Sequence, residues 1–199
     1  WIEVEIIRRH QEKRLVELNE ELKKKAYEDS LTSIPNRRAM FKHLNIDLNR
    51  ITRKQSKAVL ALIDIDFFKQ INDNYGHQKG EKIATNRHLI VCEYQPINDF
   101  LARFGGEEFL LWLPNISVDE ASLVCERIRK NIKQLPLLEK PVTISIGISL
   151  FQAENISDKK NAVKDKIDTL IAQADKALYQ AKNSGRNCIS LYEKTINSL

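Results

Sequence analysis

The chain has 199 residues, of which 42% are hydrophobic, and this is enough apolar material to bury the core of one globular domain plus an appended segment. Its 32 basic and 27 acidic residues leave a net charge of +5, a mild excess that suits anionic ligands. This composition excludes the lysine-dense surface of a dedicated nucleic-acid binder. No apolar run approaches the ~18 residues of a membrane span, and no signal-peptide pattern occurs. The three cysteines lack metal-ligand spacing and predict reduced thiols in a cytoplasmic chain.

Residues 1–26 predict an N-terminal helix. The segment contains neither Pro nor Gly, and with Trp1 at heptad position a, five of the eight a and d positions up to Lys25 are apolar. Two interpretations stay open: a coiled-coil signalling stalk, or a single amphipathic helix packed on its own domain. Because the chain starts at Trp1 and not at Met, we expect a sensor or a membrane anchor upstream in a longer protein.

Residues 27–199 predict one α+β domain. Turn-forming residues lead into a helix from Asn36 to about Ile51, and the apolar run from Lys57 predicts a central strand buried on both faces. The elements that follow are a helical turn and a longer helix to about Tyr94, a hairpin of strands 99–104 and 108–114, a helix over 117–134, a strand over 142–150, a helix over 167–185 and a strand over 188–192. This order predicts helices covering a mostly antiparallel five-stranded sheet with a ferredoxin-like core.

Carboxylates gather at two chain positions that the predicted sheet can bring together. Asp64 and Asp66 end the central strand, and Glu107 and Glu108 lie at the tip of the hairpin. Clustered buried acids are costly without a cation, and hard oxygen ligands suit Mg²⁺ or Mn²⁺. Gly105 and Gly106 directly precede the two glutamates. They predict a tight turn with positive φ, and they also let a ligand approach the backbone. The alternative is that the aspartates are merely solvated acids at a strand end.

Two cations near the C-terminus predict an anion site. Lys182 and Arg186 lie four residues apart at a helix end, a spacing that can direct both side chains toward one anion such as a triphosphate. The alternative is an ordinary favourable charge pattern at a helix C-terminus. Gly76 and Gly80 lack the spacing of a GxxxxGK[ST] phosphate loop, which excludes that motif.

Four segments together resemble the GGDEF domain of bacterial diguanylate cyclases. In chain order they read DSLTSIPNRR, LIDIDFFKQINDNYGHQKGE, ARFGGEEF and ADKALYQAKNSGRN, and the resemblance runs from about Tyr27 to about Tyr192. The fold that this resemblance implies is related to the palm of nucleotide polymerases and to class III nucleotidyl cyclases. It agrees with the sheet and helices predicted above.

The resemblance implies a role for each matching acidic position. Asp64 and Glu107 would coordinate two metal ions through their carboxylates, and Ile65 would do so through its backbone carbonyl. Glu108 would support the turn and the metal shell, whereas the role of Asp66 stays open. Asp64, Glu107 and the cationic Lys182 are the expected catalytic residues.

The resemblance also implies how GTP is held. Asn72 would bind the guanine edge through its amide, and Glu81 would accept hydrogen bonds from the base. The phosphates and the rest of the substrate would contact the following positions: Phe67, Phe68, Lys69, Gly105, Gly106, Lys182 and Arg186.

Two positions depart from the family pattern. Position 81 is usually Asp, and Glu81 keeps the charge while adding one methylene, which puts base specificity in question. The product-inhibition signature RxxD aligns with residues 96–99, where Pro96 replaces the Arg and Asp99 is retained. Without the guanidinium fork, weak or absent product inhibition is expected.

The implied activity is condensation of two GTP into cyclic di-GMP across a homodimer, because each site would supply only one of the two nucleotides. The stalk would then align the two domains. The rival interpretations are a non-catalytic module that binds GTP or cyclic di-GMP, a cyclase of relaxed base specificity, and a fragment that serves mostly in dimerisation.

Overall fold

The computed structural model describes residues 1–85, 99–153 and 161–193. Its helices are α1 (Ile2–Tyr27), α2 (Arg37–Arg53), α3 (Phe68–Tyr75), α4 (His77–Ala84), α5 (Val118–Gln134) and α6 (Asn161–Asn183). Its strands are β1 (Lys57–Ile65), β2 (Phe100–Arg103), β3 (Glu108–Pro114), β4 (Ile144–Gln152) and β5 (Ile189–Leu191). The predicted helix over residues 86–94 and the substituted positions 96–98 lie outside the described residues.

The five strands form one mixed sheet in the order β2-β3-β1-β4-β5. All neighbouring strands are antiparallel except β4 and β5, which are parallel. After Lys57, every residue of the central strand β1 is buried, as its continuous apolar sequence predicts for a strand covered on both faces. The prediction of a mostly antiparallel α+β sheet is confirmed.

Helices cover both faces of this sheet, and alternate residues of β1 belong to different cores. Val59, Ala61 and Ile63 join the core that α3, α4 and α5 complete. Leu60 and Leu62 join the core that α2 and α6 complete. This division follows from the two-residue period of a strand, because successive side chains point to opposite faces.

Helix α6 packs directly on the backbone of β4 at Gly147. A Cβ atom there would overlap the carbonyl oxygen of Ala174 and the amide nitrogen of Leu178. The absent side chain lets the helix and the strand approach closely. Helix α6 is thus seated closely on β4, and its Lys182 contacts Asp64 near the end of β1.

The end of β1 agrees with its predicted position, whereas the start of α6 does not. Strand β1 ends at Ile65, between the two aspartates as predicted, and Phe67 just beyond it has a left-handed φ of 57°. Helix α6 begins at Asn161, earlier than the predicted Ile167, and Val163 in this added segment packs against the core. Packing of this apolar side chain extends the helix beyond the segment that the sequence marks clearly.

Helix α1 extends away from the sheet with its apolar side chains exposed. Val4, Leu15, Leu18 and Leu22 are exposed, so the interpretation that this helix packs on its own domain does not describe the structure. The chain then turns through residues 28–36, where the Asn36 side chain caps α2 by accepting a hydrogen bond from the Ala39 amide. Within the described ranges, no helix is both long enough and apolar enough to cross a membrane.

Candidate active site

The acidic residues meet at one edge of the sheet, as their sequence positions predict. Strands β1 and β3 are antiparallel neighbours, and their register places Asp64 opposite Glu108. The Ile65 amide donates a hydrogen bond of 3.3 Å to the carbonyl oxygen of Glu107. The end of β1 and the start of β3 therefore hold three carboxylates and a strand-end backbone segment together.

Asp64 is the buried member of this acidic edge. Its side chain is only 7% exposed, and its Oδ2 atom lies 2.9 Å from the Nζ atom of Lys182. Burial raises the pKa of Asp64 to about 6; the Lys182 ammonium opposes this shift, and Glu107 and Glu108 add to it. A positive charge beside Asp64 therefore stabilises its ionised form, and Lys182 supplies that charge here.

The glycine turn does not have the predicted conformation. Neither Gly105 nor Gly106 has a positive φ. The primed turn predicted from these glycines is therefore wrong. The amides of Phe104 and Gly105 both donate to the carbonyl oxygen of Glu108, which closes a loop wider than a two-residue turn. A Cβ at Gly105 would lie 2.8 Å from Oε2 of Glu108, so the Glu108 carboxylate would have to move aside for any larger residue there.

Arg103 holds the glycine loop against the turn that follows α1. Its Nη1 atom lies 2.9 Å from Oδ1 of Asp29, and its Nη2 atom donates a 2.7 Å hydrogen bond to the carbonyl oxygen of Gly106. Sequence reasoning missed this residue, although its place directly before the loop was a usable signal. A planar guanidinium can serve both partners at once, whereas a lysine ammonium has no such fork.

The two C-terminal cations have different partners in this structure. Lys182 contacts Asp64, whereas the Arg186 guanidinium lies over the Phe67 ring at 4.5 Å from its centroid. Arg186 itself has a φ of 62°, in the left-handed region. The prediction that both cations point toward one anion therefore stays untested: Lys182 contacts the acidic edge, and Arg186 contacts Phe67, two residues beyond the end of β1.

Helix α3 places the other predicted phosphate contacts beside Arg186. Phe67 is the N-cap residue, Phe68 begins the helix, and Lys69 is exposed in its first turn. A helix N-terminus presents free backbone N–H groups and a partial positive charge, which favour phosphate. The predicted phosphate positions are thus brought together.

The predicted base-contacting residues lie on consecutive helices, Asn72 on α3 and the exposed Glu81 on α4. Gly76 joins these helices with a φ of 81°. A Cβ at Gly80 would overlap Oδ1 of Asn72, so the glycine leaves space for the Asn72 amide. The close approach of Gly80 to Asn72 places the two predicted base-contacting positions, Asn72 and Glu81, near each other.

The donor chemistry of the edge fits a divalent cation. Two carboxylates, Asp64 and Glu107, flank the Ile65 backbone, and such hard oxygens suit Mg²⁺. Among the residues that the structure describes, no cluster of three His, Cys, Asp or Glu side chains is arranged to hold a metal. The resemblance implies that the Ile65 carbonyl would complete such a site together with substrate or water oxygens.

The fold and the site together define a class of protein: a palm-like α+β domain with an acidic strand edge and adjacent cations. The chain belongs to the GGDEF family: the family model described as diguanylate cyclase, GGDEF domain, matches residues 26–188. This match confirms the resemblance predicted from the four sequence segments.

Similar proteins agree with this membership. The chain is 35% identical over 175 residues to the diguanylate cyclase DgcP of Pseudomonas aeruginosa, covering 84% of this chain and 24% of that protein. It is 35% identical over 170 residues to the response regulator PleD of Caulobacter vibrioides, covering 82% of this chain and 36% of that protein. The chain therefore spans well under half the length of these curated relatives.

A solved structure covers the N-terminal helix as well as the domain. The coiled coil and GGDEF domain of DgcB from Caulobacter crescentus, in complex with c-di-GMP, matches with a TM-score of 0.79 and 25% identity. The match covers 96% of this chain and 98% of that chain. Its extent confirms the fold, including the N-terminal helix.

Proposed function

We propose that this domain condenses two GTP into cyclic di-3′,5′-guanylate. In each of two transfers, a ribose 3′-oxygen bonds to the α-phosphorus of the other nucleotide, and the bond from that phosphorus to pyrophosphate breaks. The hydroxyl proton leaves to solvent, and two pyrophosphates are released. The observation that carries this proposal is the buried Asp64 beside Glu107, with Lys182 at 2.9 Å.

Asp64, the Ile65 carbonyl and Glu107 would hold two Mg²⁺ or Mn²⁺ ions. When bound, these cations neutralise phosphate charge and lower the pKa of the attacking hydroxyl. Lys182 would then leave Asp64 and contact the triphosphate, where its ammonium stabilises the departing pyrophosphate. The same lysine thus keeps the buried carboxylate ionised before the substrate arrives.

The remaining contacts would orient the nucleotide. Backbone N–H groups at Phe67 and Phe68 would bind phosphate oxygens with Lys69 and Arg186, at the N-terminus of α3. Asn72 and Glu81 would bind guanine, with Gly105 and Gly106 close to the substrate. Because Glu81 carries one methylene more than the usual Asp, guanine specificity is the property most open to change.

A homodimer would be required, since one site holds one GTP and cannot close the ring alone. The exposed apolar side chains of α1 support a parallel coiled coil that aligns two domains. The structure of the coiled coil and GGDEF domain of DgcB in complex with c-di-GMP also supports this arrangement. A shift in the helix pairing would let an upstream sensor control activity.

Feedback inhibition by the product would be weak. Pro96 stands where the family signature has an arginine, although Asp99 is retained. An aspartate alone has no bidentate donor for guanine or phosphate.

The test is to incubate the chain with Mg²⁺ and GTP, ATP or both, and to resolve the products by mass. Cyclic di-GMP from GTP alone supports the proposal. Mixed or adenine dinucleotides favour the cyclase of relaxed specificity, for which the longer Glu81 side chain is the reason. No product with any nucleotide, at concentrations where the chain is dimeric, contradicts catalysis and favours a binding module.

A further inference from the structure

Asp66, the second aspartate at the end of β1, has different partners from Asp64. Asp64 contacts Lys182, whereas Asp66 is hydrogen-bonded within the protein. It is 3% exposed, and both of its carboxylate oxygens accept hydrogen bonds. Ser145 Oγ donates to Oδ1 at 2.6 Å, and Thr143 Oγ1 donates to Oδ2 at 2.7 Å. The backbone amide of Asn187 also donates to Oδ2, at 3.0 Å. The carboxylate therefore joins the start of β4 to the loop that follows α6.

That loop has an unfavourable backbone. Gly185, Arg186 and Asn187 have successive φ values of 109°, 62° and 48°. For the two residues with a Cβ, the left-handed region is disfavoured and needs compensating contacts. Arg129 supplies one by donating to the Asn187 side-chain oxygen at 2.6 Å, and Asp66 supplies the other by accepting the Asn187 amide.

Asp66 also links Phe67 to Arg186, the two residues that flank the proposed phosphate position. It directly precedes Phe67 in the chain, and it is hydrogen-bonded to Asn187, which directly follows Arg186. The Arg186 guanidinium lies over the Phe67 ring at 4.5 Å. One buried carboxylate thus connects the chain just before α3 to the loop that contains Arg186.

We propose that Asp66 is a positioning residue that sets Arg186 for the triphosphate, acting through the Asn187 amide. This inference rests on the proposed function, in which Arg186 contacts phosphate. Asp66 would touch neither substrate nor metal; its negative charge and paired oxygens hold the loop in its left-handed form. An asparagine there keeps the shape but presents an NH₂ group to donors, so at least one hydrogen bond is lost.

The test is a double-mutant cycle on binding of a non-hydrolysable GTP analogue by the full chain in Mg²⁺. D66N and R186A are each expected to weaken binding about tenfold, the size of one lost charge-assisted contact. The double variant is expected to bind about as well as R186A alone, because Asp66 acts through Arg186. The exchange rate of the Asn187 amide should rise in D66N. The control D168N makes the same charge change at an exposed position on α6 and should bind the analogue like the wild type.

The outcomes separate the two ideas. If R186A binds the analogue normally, the phosphate role in the proposed function fails, and the inference fails with it. If R186A weakens binding but the two effects multiply, or D66N has no effect, only the positioning role of Asp66 is overturned.

Two substitutions of Thr143, which perturb the structure less, test the same role of Asp66 if D66N does not fold. T143V removes one donor from the same oxygen and should weaken binding about threefold, whereas T143S keeps the hydroxyl and should restore it. Equal affinity of T143V and the wild type would overturn the inference.

Discussion

The ammonium of Lys182 lies 2.9 Å from the carboxylate of Asp64, so the proposed phosphate-binding cation neutralises the proposed metal ligand. The aspartate is buried and the lysine is partly exposed. Breaking such a pair by removing one member leaves a buried charge without compensation.

We therefore expect K182M to lower the free energy of unfolding by about 1–3 kcal/mol without divalent cations. The double variant D64N/K182M should recover most of this loss, because position 64 then has no charge that lacks a partner. Urea unfolding at neutral pH measures both. K176M, an exposed lysine on the same helix, is the control and should change little. Equal stability of K182M and the wild type would mean that the pair contributes nothing.

Glu107 is the residue whose loss should separate activity from folding. Its side chain is partly exposed, and its backbone carbonyl makes the contact with the Ile65 amide. E107A should therefore unfold like the wild type but lose at least about 100-fold in cyclic di-GMP synthesis, as for other lost charge-stabilising groups. E139A, at an exposed position far along the chain, should retain synthesis. Unchanged turnover in E107A would refute the metal assignment.

The contact between Asp29 and Arg103 should make stability depend on pH in the acid range. Burial alone would raise the pKa of Asp29, but hydrogen bonds from Thr32 and the Arg103 guanidinium outweigh it and hold that pKa below its usual value. A carboxyl with a lowered folded pKa stabilises fully above its unfolded pKa of about 3.9, and this stability is lost as the pH falls through the folded value.

D29N should therefore lower the free energy of unfolding by about 1 kcal/mol at pH 7, and the difference from the wild type should shrink below about pH 4. Chemical unfolding across pH 3–7 measures this. D168N, at an exposed carboxylate, serves as the comparison. A difference between D29N and the wild type that stayed constant over the whole range would contradict a charge-dependent contact.

Gly147 and Gly106 make a matched pair for testing close packing. A Cβ at Gly147 would meet the backbone of α6, whereas one at Gly106 has no neighbour within 4 Å. Because backbone cannot move aside as a flexible side chain can, G147A should lose about 1–3 kcal/mol or more of unfolding free energy. G106A should change stability by less than about 0.5 kcal/mol. Thermal and urea unfolding would show the contrast, and similar losses in both variants would contradict it.

Product inhibition should respond to an arginine at position 96. P96R restores the guanidinium of the RxxD signature with Asp99 in place, so cyclic di-GMP should inhibit synthesis by this variant more strongly than by the wild type. P96A also removes the proline ring but adds no cation, and it should behave like the wild type. Dose–response curves with added product measure inhibition; an unaltered curve for P96R would contradict this interpretation of the site.

The sequence by itself determined the order of the described elements and the place of Asp64, Glu107 and Glu108 at the acidic edge, but not that Asp66 pairs with Ser145 and Thr143 instead. The spacing of apolar residues that indicates a helix or a strand is a local property of the sequence. The acidic residues of β1 and β3 each lie within a short motif, so they too can be recognised locally. The prediction failed where conformation depends on distant atoms. Gly105 and Gly106 look like turn glycines, but their loop is shaped by the backbone of Glu108 and by Arg103.

Only the tertiary structure decided which polar groups pair. Arg103 and Asp29 are 74 residues apart, and Asp66 and Asn187 are 121 residues apart. No local pattern connects such positions, because their distance is set by how α6 packs on β4 and how the turn after α1 meets β2. Hydrogen bonds require atoms to be within about 3 Å, and that precision arises only when the packed core holds both chain segments in place.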